Sequence, residues 1–287
     1  MSKNIATVAL LHPGNMGVTI GTAAAASGAR ILWASSERGT ATRKRAEQAG
    51  LLDVGTLTEA VRQCDVVLSV CPPHAAVNVA RAVAAEKFSG IYVDANAVSR
   101  ATAEEIGAIV STAGASFVDG GIIGSPVKQA GTTRLYLSGP DAEYVAALFS
   151  RGMLDARPIG AEPGAASALK VAYAAWTKCT DALVLTIRAF AAHQGVDQAL
   201  LQEWSISQPA LEKKCSRAAA VAVPKMWRYV GEMKEIAEAF AAAGLPAGFH
   251  EAAAEVSDRL ACFKDQTDPG PTVTVAIDAL RKSASHL

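Results

Sequence analysis

The chain lacks the features that would commit it to metal, disulfide or nucleic-acid chemistry. Its five cysteines, at positions 64, 71, 179, 215 and 262, form no CxxC pair and no Cys/His cluster. An odd, scattered set of this kind argues against a disulfide framework or a zinc site, and for reduced thiols that serve in packing. Neither charge sign is in excess, since 27 basic residues balance 27 acidic ones. That removes any global pull toward nucleic acid or an anionic membrane, so the expected partner is a small-molecule substrate. Long hydrophobic runs are also missing. The uncharged stretch from Asn4 to Ala29 is broken by His12-Pro13-Gly14, and neither half could cross roughly 30 Å of hydrocarbon. With no targeting segment, low-complexity tract or internal repeat to read, the expected location is cytoplasmic.

What the chain does have is length and apolar content: 287 residues, 51% hydrophobic and 19% charged, enough for two domains with substantial cores. The first half alternates short apolar runs with helical stretches. Strands are expected at Ile5–Leu11, Arg30–Ala34, Val66–Val70, Ile91–Asp94, Ser116–Asp119 and Leu135–Ser138. Helices are expected at Met16–Ser27, Thr40–Gln48, Thr58–Gln63, Ala75–Ala85, Ala101–Thr112 and Asp141–Arg151. Such alternation gives a doubly wound parallel sheet with right-handed crossovers.

Near Gly160 the pattern changes. After Ala161-Glu162-Pro163-Gly164 an unbroken helix is expected to about Gln194, closed by Gly195. At 1.5 Å per residue it would run about 45 Å. It is apolar on most of its circumference, with Ser167, Lys170, Thr177, Asp181 and Arg188 on one polar stripe, so burial on nearly all sides is expected. The remainder reads as further helices. The expected architecture is therefore an α/β Rossmann-like domain over 1–161 and an all-α domain over 162–287 that includes the long interdomain helix. So apolar a helix calls for more cover than the residues after it supply, and a homodimer through the helical domain is expected.

The first apolar run, Val8-Ala9-Leu10-Leu11, is followed by His12-Pro13-Gly14-Asn15-Met16-Gly17 and then a helix. This reads as a dinucleotide-binding turn whose first glycine is histidine. Gly14 lets the backbone approach phosphates, and Gly17 lets the helix sit close on the strand. The alternative is a plain strand-to-helix turn. In such sheets ligands bind outside the carboxyl ends of the strands, so the residues there are the candidates.

After the second strand come Ser35, Ser36, Glu37 and Arg38. Hydroxyls with a guanidinium suit a ribose 2′-phosphate, which favours NADP over NAD, although NAD stays possible. Glu37 is the contrary residue and is expected to face solvent. The alternative is a solvated basic helix start. Cys71-Pro72-Pro73-His74 forms a rigid loop where the nicotinamide half would lie, with His74 either a general acid or a helix cap. Asn96 offers an amide for ribose or substrate, or else closes an Asx turn. Gly120, Gly121 and Gly124 beside a strand end indicate close backbone approach, either to a ligand or to a neighbouring helix. Lys170, on an otherwise apolar helix surface, is the strongest catalytic candidate. Burial near a cleft would lower its pKa and suit it to general acid–base work, the alternative being a lysine paired with a carboxylate.

These residues together resemble the 3-hydroxyacid dehydrogenase and 6-phosphogluconate dehydrogenase superfamily over essentially the whole chain. The glycine turn, Asp94, Asp119-Gly120-Gly121, Gly164 with Lys170, and Met233-Lys234-Glu235-Ile236 occur in the family's order and approximate spacing. His12-Pro13-Gly14, Asp94-Ala95-Asn96-Ala97 and Lys170 with Tyr173-Ala174-Ala175 look like the branch with a C-terminal domain of formerly unknown function. The resemblance implies hydride transfer between a nicotinamide and a carbinol carbon, with Lys170 exchanging the hydroxyl proton. It also implies that His12, Pro13, Gly14, Asn15, Met16, Ser35, Ser36, Arg38, Cys71, Pro72, Pro73 and Asn96 hold the cofactor. No metal is implied. Substrate contacts would come from Asn96, Gly120, Gly121, Ile123, Tyr173 and Lys234.

Several positions depart from the family pattern. Tyr173 and Ala174 stand where two asparagines are usual, and Ile123 stands where a serine contacts the substrate carboxylate. Asn96-Ala97 replaces a Ser-Thr pair. The expected substrate is therefore a bulkier or aryl-bearing 3-hydroxy acid or related alcohol. The alternatives are an NADPH-dependent imine reductase, which the lysine disfavours, and a nucleotide-binding protein without turnover.

Overall fold

The structure is a computed structural model and describes residues 5–283. Its N-terminal part alternates strictly: β1 (Thr7–Leu11), α1 (Asn15–Ala26), β2 (Arg30–Trp33), α2 (Thr40–Gln48), β3 (Leu52–Asp53), α3 (Leu57–Arg62), β4 (Val66–Ser69), α4 (Ala76–Ala85), β5 (Ile91–Asp94) and α5 (Arg100–Thr112). Then come β6 (Ser116–Gly124), β7 (Thr133–Ser138), α6 (Ala142–Ala147) and β8 (Asp155–Gly160). The eight strands form one sheet in the order β3-β2-β1-β4-β5-β6-β7-β8.

Alternate residues of each strand feed opposite apolar layers, as the pleat requires. Leu10, Leu68, Val93 and Val118 pack with Val18, Ile20 and Ala24 on one face. Leu11, Val67, Tyr92 and Phe117 pack with Ala80, Val83 and Ile106 on the other. Burial on both faces explains why the strands read as continuous apolar runs. Strand order reverses between β2 and β4 on either side of β1, and in such sheets ligands bind outside the strand ends at that switch point.

The α/β Rossmann-like class holds, with differences in detail. The sheet is not wholly parallel, because β7 runs antiparallel to β6 and β8 parallel to β7. Two strands escape the sequence pattern. β3 has only two residues, both exposed, and β8 is a half-exposed edge containing Pro158. The strand expected to end at Asp119 continues to Gly124. Its glycines belong to the ladder with β7 instead of a loop. The helix expected over Asp141–Arg151 is only six residues long.

The long helix α7 spans Ala165–His193, close to the expected range. The chain divides into compact units at 1–171 and 172–287, with the break two turns inside α7. In the second unit α8 (Asp197–Ser207), α9 (Leu211–Arg217), a single π turn at 218–222, α10 (Met226–Ala242), α11 (Gly248–Arg259) and α12 (Val273–Ser283) follow. Leu185, Cys215, Val223, Met226 and Leu260 form its core. Among the described residues no helix is long and apolar enough to cross a membrane.

Burial of α7 on nearly all sides does not occur in the single chain. Trp176 and Phe190 are 66% and 64% exposed, and Tyr173, Leu183 and Ile187 lie on the same stripe at helical spacing. The polar stripe, by contrast, is tied down. Arg188 grips Asp197 through two bonds of 2.5 and 2.8 Å, and Asp181 accepts one of 2.5 Å from Arg217. Arg188 is only 8% exposed, so removing its partner strands a desolvated guanidinium. Asp197→Ala is expected to destabilise the helical unit by about 3 kcal/mol in urea unfolding. A loss within the range of surface pairs, below about 1 kcal/mol, would show that the fork contributes little.

Candidate active site

The candidate site is built first by the turn after β1. His12 adopts a left-handed backbone, φ +67°, at the position where the fingerprint has its first glycine. That conformation folds the chain so that Gly14 N–H donates to His12 O at 2.7 Å. A Cβ on Gly17 would sit 2.7 Å from the same oxygen, which excludes any side chain there. Gly14 precedes α1 with no side chain capping the helix, so the first-turn N–H groups of Asn15 and Met16 are left for a ligand. Arg45, on α2, braces the turn from behind by donating to Pro13 O at 3.1 Å.

At the end of β2, Ser35 is buried, Ser36 and Glu37 are exposed, and Arg38 is half-buried. Glu37 takes φ +60° and turns outward. Two nitrogens here are buried without a hydrogen-bond partner, His12 Nδ1 and Arg38 Nε. Burial first, and Arg38 second, lower the His12 imidazole to about 4. Unpaired buried nitrogens at the strand ends beside an uncapped helix start are groups that an incoming ligand could satisfy. The turn and the end of β2 therefore fit a dinucleotide.

A second assembly lies deeper. Ser69, Asp94, Asp119 and Ser138 are consecutive register partners across β4, β5, β6 and β7, and all four are fully buried. They form one polar rung through an apolar sheet. Its β4–β5 half is tied by Asn96, whose Nδ2 donates to Asp94 Oδ1 at 2.5 Å and to Ser69 Oγ at 3.1 Å. Asn96 Oδ1 accepts from Cys71 N–H at 2.5 Å. Both donors of this amide are thus engaged inside the protein. Asn96, expected to reach ribose or substrate or else to close an Asx turn, holds the Cys71-Pro72-Pro73 loop to the end of β5. Asp94 is pushed up to about 7, mainly by burial and further by Asp119, against the pull of Asn96. The Cys71 thiol is pushed up to about 11 by burial and then by Asp94, so it is protonated at neutral pH. His74 is exposed in the short turn that follows.

The other half of the rung holds α7. Asp119 Oδ2 accepts from Ser167 N–H at 2.8 Å and Oδ1 from Ser167 Oγ at 2.5 Å, while Ser138 Oγ accepts from Ala166 N–H at 3.0 Å. A buried carboxylate thereby caps the first turn of the long helix and meets the positive end of its dipole. Gly121 makes this approach possible, since a Cβ there would lie 2.6 Å from Ala166 O and 3.2 Å from Lys170 Cβ. Of the two readings of the glycine-rich segment, close approach to a helix is what Gly121 shows. Gly120 abuts Asp94 O and Ala95 instead, and Ile123 is buried.

Lys170 follows one turn after this clamp. Burial lowers its ammonium below the usual lysine value, and no neighbouring charge contributes. Such an amine gives up its proton more readily than an exposed lysine does. Tyr173 and Lys234 belong to the helical unit, where both are exposed. Asp94, Asp119, Ser138 and Ser167 were not among the expected site residues, because their roles arise from pairings across strands far apart in sequence.

The model of the coenzyme F420-dependent NADP oxidoreductase family matches residues 7–98, and that of a domain of unknown function, DUF1932, matches residues 191–260. An uncharacterised 28.5 kDa protein from Methanothermus fervidus is 30% identical over 165 residues, which is 58% of this chain and 63% of that protein. The chain thus matches less than two thirds of the length of that curated relative. Among solved structures, a conserved protein of unknown function, MTH1747, described as structurally similar to 3-hydroxyacid dehydrogenases, is 25% identical with a TM-score of 0.72. The match covers 90% of this chain and 97% of that one. The 3-hydroxyisobutyrate dehydrogenase of Mycobacterium tuberculosis, solved with L-serine, is similar in fold at 18% identity and a TM-score of 0.71, covering 97% and 100% of the two chains. The two family segments lie in this order, and the fold of MTH1747 is shared along nearly the whole length, so the chain is similar to the 3-hydroxyacid dehydrogenase group in fold and carries a DUF1932 segment.

Proposed function

We propose that the protein is an NADP-preferring oxidoreductase acting on a 3-hydroxy acid or a related, bulkier alcohol, with Lys170 as its general acid–base. The observation that carries this reading is a lysine amine whose ammonium is disfavoured by burial, set one turn after the Asp119 clamp beside the strand ends. A bound nicotinamide would accept the hydride of the carbinol C–H in oxidation and return it in reduction. Lys170 Nζ would take the hydroxyl proton as the carbonyl forms, and give it back in the reverse direction. The first turn of α1 would hold the pyrophosphate, and Ser35, Ser36 and Arg38 the ribose 2′-phosphate. The apolar Ile123 in place of a carboxylate-binding serine supports a bulkier substrate.

We also propose a homodimer formed by the helical unit. The stripe Tyr173, Trp176, Leu183, Ile187 and Phe190 is exposed, uncharged and on one helix face, which suits a second copy of the same helix across a two-fold axis.

Lys170→Met is expected to lower turnover by about 10²–10⁴-fold while leaving nucleotide binding intact. The same variant should be more stable. A lysine with a lowered folded-state pKa is less protonated in the folded than in the unfolded chain, so wild-type stability rises with pH toward 10.5. Methionine removes that slope, and its gain in Tm is largest at the acid end. Turnover within twofold of wild type, on a panel of aryl and aliphatic 3-hydroxy acids and of imines, would remove Lys170 from the mechanism. Saturable turnover of imines alone would favour an imine reductase. For the cofactor, NADP should raise Tm more than NAD at equal concentration, and the opposite order would refute the role given to Ser35, Ser36 and Arg38. Sedimentation should show a wild-type dimer and a monomeric Trp176→Glu/Phe190→Glu variant; a monomeric wild type refutes the proposed interface.

A further inference from the structure

The histidine in the nucleotide turn has three properties that a space-filling residue would not need together. Its backbone has φ +67°, a conformation that few side chains other than those of Asn, Asp and His adopt. Its Nδ1 is shut off from solvent with no hydrogen-bond partner. It also lies close enough to the Arg38 guanidinium for that charge to act on it, and Arg38 Nε is likewise buried and unpaired. One nitrogen comes from the β1–α1 turn and the other from the β2–α2 turn, so both border the end of β2, where Ser35 and Ser36 lie. Groups left in this state are normally satisfied by something.

The surroundings narrow what that something is. Arg45 is committed to Pro13 O, and Arg43 Nε to Arg38 O at 3.0 Å. Glu37 is exposed, and Cys71, which lies within reach of Arg38's field, holds its proton. Asp94, whose field also reaches Cys71, is hydrogen-bonded within the rung and pushed up to about 7, so the unpaired groups here are the nitrogens of His12 and Arg38. An anion with several oxygens can accept from Arg38 Nε and from a protonated imidazole at once. The pyrophosphate belongs to the first turn of α1. The anion at the end of β2 is then the monoester on the adenosine ribose.

We propose that His12 and Arg38 jointly seat the adenosine 2′-phosphate, and that the imidazole takes up a proton as the phosphate binds. The residue replacing the first glycine of the fingerprint is then a determinant of cofactor preference. This rests on the dinucleotide reading above, but not on any particular substrate or on turnover. The neutral state of the free imidazole, lowered to about 4 by burial and by Arg38, is what makes proton uptake the signature of binding. Affinity for NADP therefore rises as pH falls through the histidine's value in the complex and on toward its free value of about 4.

The test is titration calorimetry of NADP and NAD against the ligand-free protein, in two buffers of different ionisation enthalpy, from pH 6 to 8. Wild type is compared with His12→Gly and His12→Asn. Both replacements tolerate the left-handed backbone, so loss of binding cannot be assigned to a strained turn. Any titration of the ligand's own phosphate is common to all three proteins, so the difference in proton uptake reports the imidazole. His12→Gly is expected to bind NADP about tenfold more weakly at pH 6 and to lose the extra proton uptake, with NAD affinity changed less than about twofold. His12→Asn keeps a hydrogen-bond donor but should lose the proton uptake in the same way. A wild type that prefers NADP, with a preference that survives His12→Gly, overturns the inference alone. A wild type that binds NAD as tightly as NADP overturns the cofactor assignment together with it.

Discussion

The carboxylate of Asp119 decides where the long helix begins and what faces the strand ends. It is fully buried, yet its acceptor sites are filled by the backbone and hydroxyl of Ser167 and the hydroxyl of Ser138. Those partners come from the first turn of α7 and from β7, so one side chain joins the sheet to the helix that crosses the boundary between the two compact units. A negative charge at a helix N-terminus is favourable in itself, and burial strengthens it by keeping water from competing. Lys170 sits one turn further along and inherits its position from this cap.

The same rung serves the cofactor side of the site. Asp94 and Ser69 are register neighbours of Asp119, and Asn96 binds them to the backbone of Cys71. The loop after β4 is therefore shaped by an amide that is itself wholly inside the protein. Two carboxylates side by side in an apolar sheet would be costly if both were charged and unpaired. Here hydrogen bonds stabilise them, and Asp94 rises toward neutrality. The polar residues at the strand ends thus form a scaffold, beside which stand the turn at His12, the β2 terminus with Arg38, and Lys170.

Much of this was visible in the residue order. β5 and α2 have the expected bounds, and α7 ends within a residue of expectation, because burial on both faces or a full helical period leaves an unambiguous pattern. The glycine turn, Arg38 and Lys170 could be picked out because each is an exception to its local pattern. β3 and β8 could not, since one is too short to show a period and the other is an exposed edge strand. Asn96 was assigned a ligand-binding role because an amide at a strand end suits a ligand and a brace equally well. Only its neighbours at 2.5 Å decide between them.

Local sequence alone thus determined the alternation of strands and helices, the nucleotide-type turn and the long amphipathic helix with one lysine in its second turn. Those properties depend on the spacing of residues along the chain, which propensity and periodicity report directly. The tertiary structure decided the antiparallel turn of β7, the polar rung across four strands, the cap of Asp119 on α7 and the two unpaired nitrogens of His12 and Arg38. Each of these joins residues from separate segments, and whether a buried polar group is paired or left open is settled only by what the fold brings beside it.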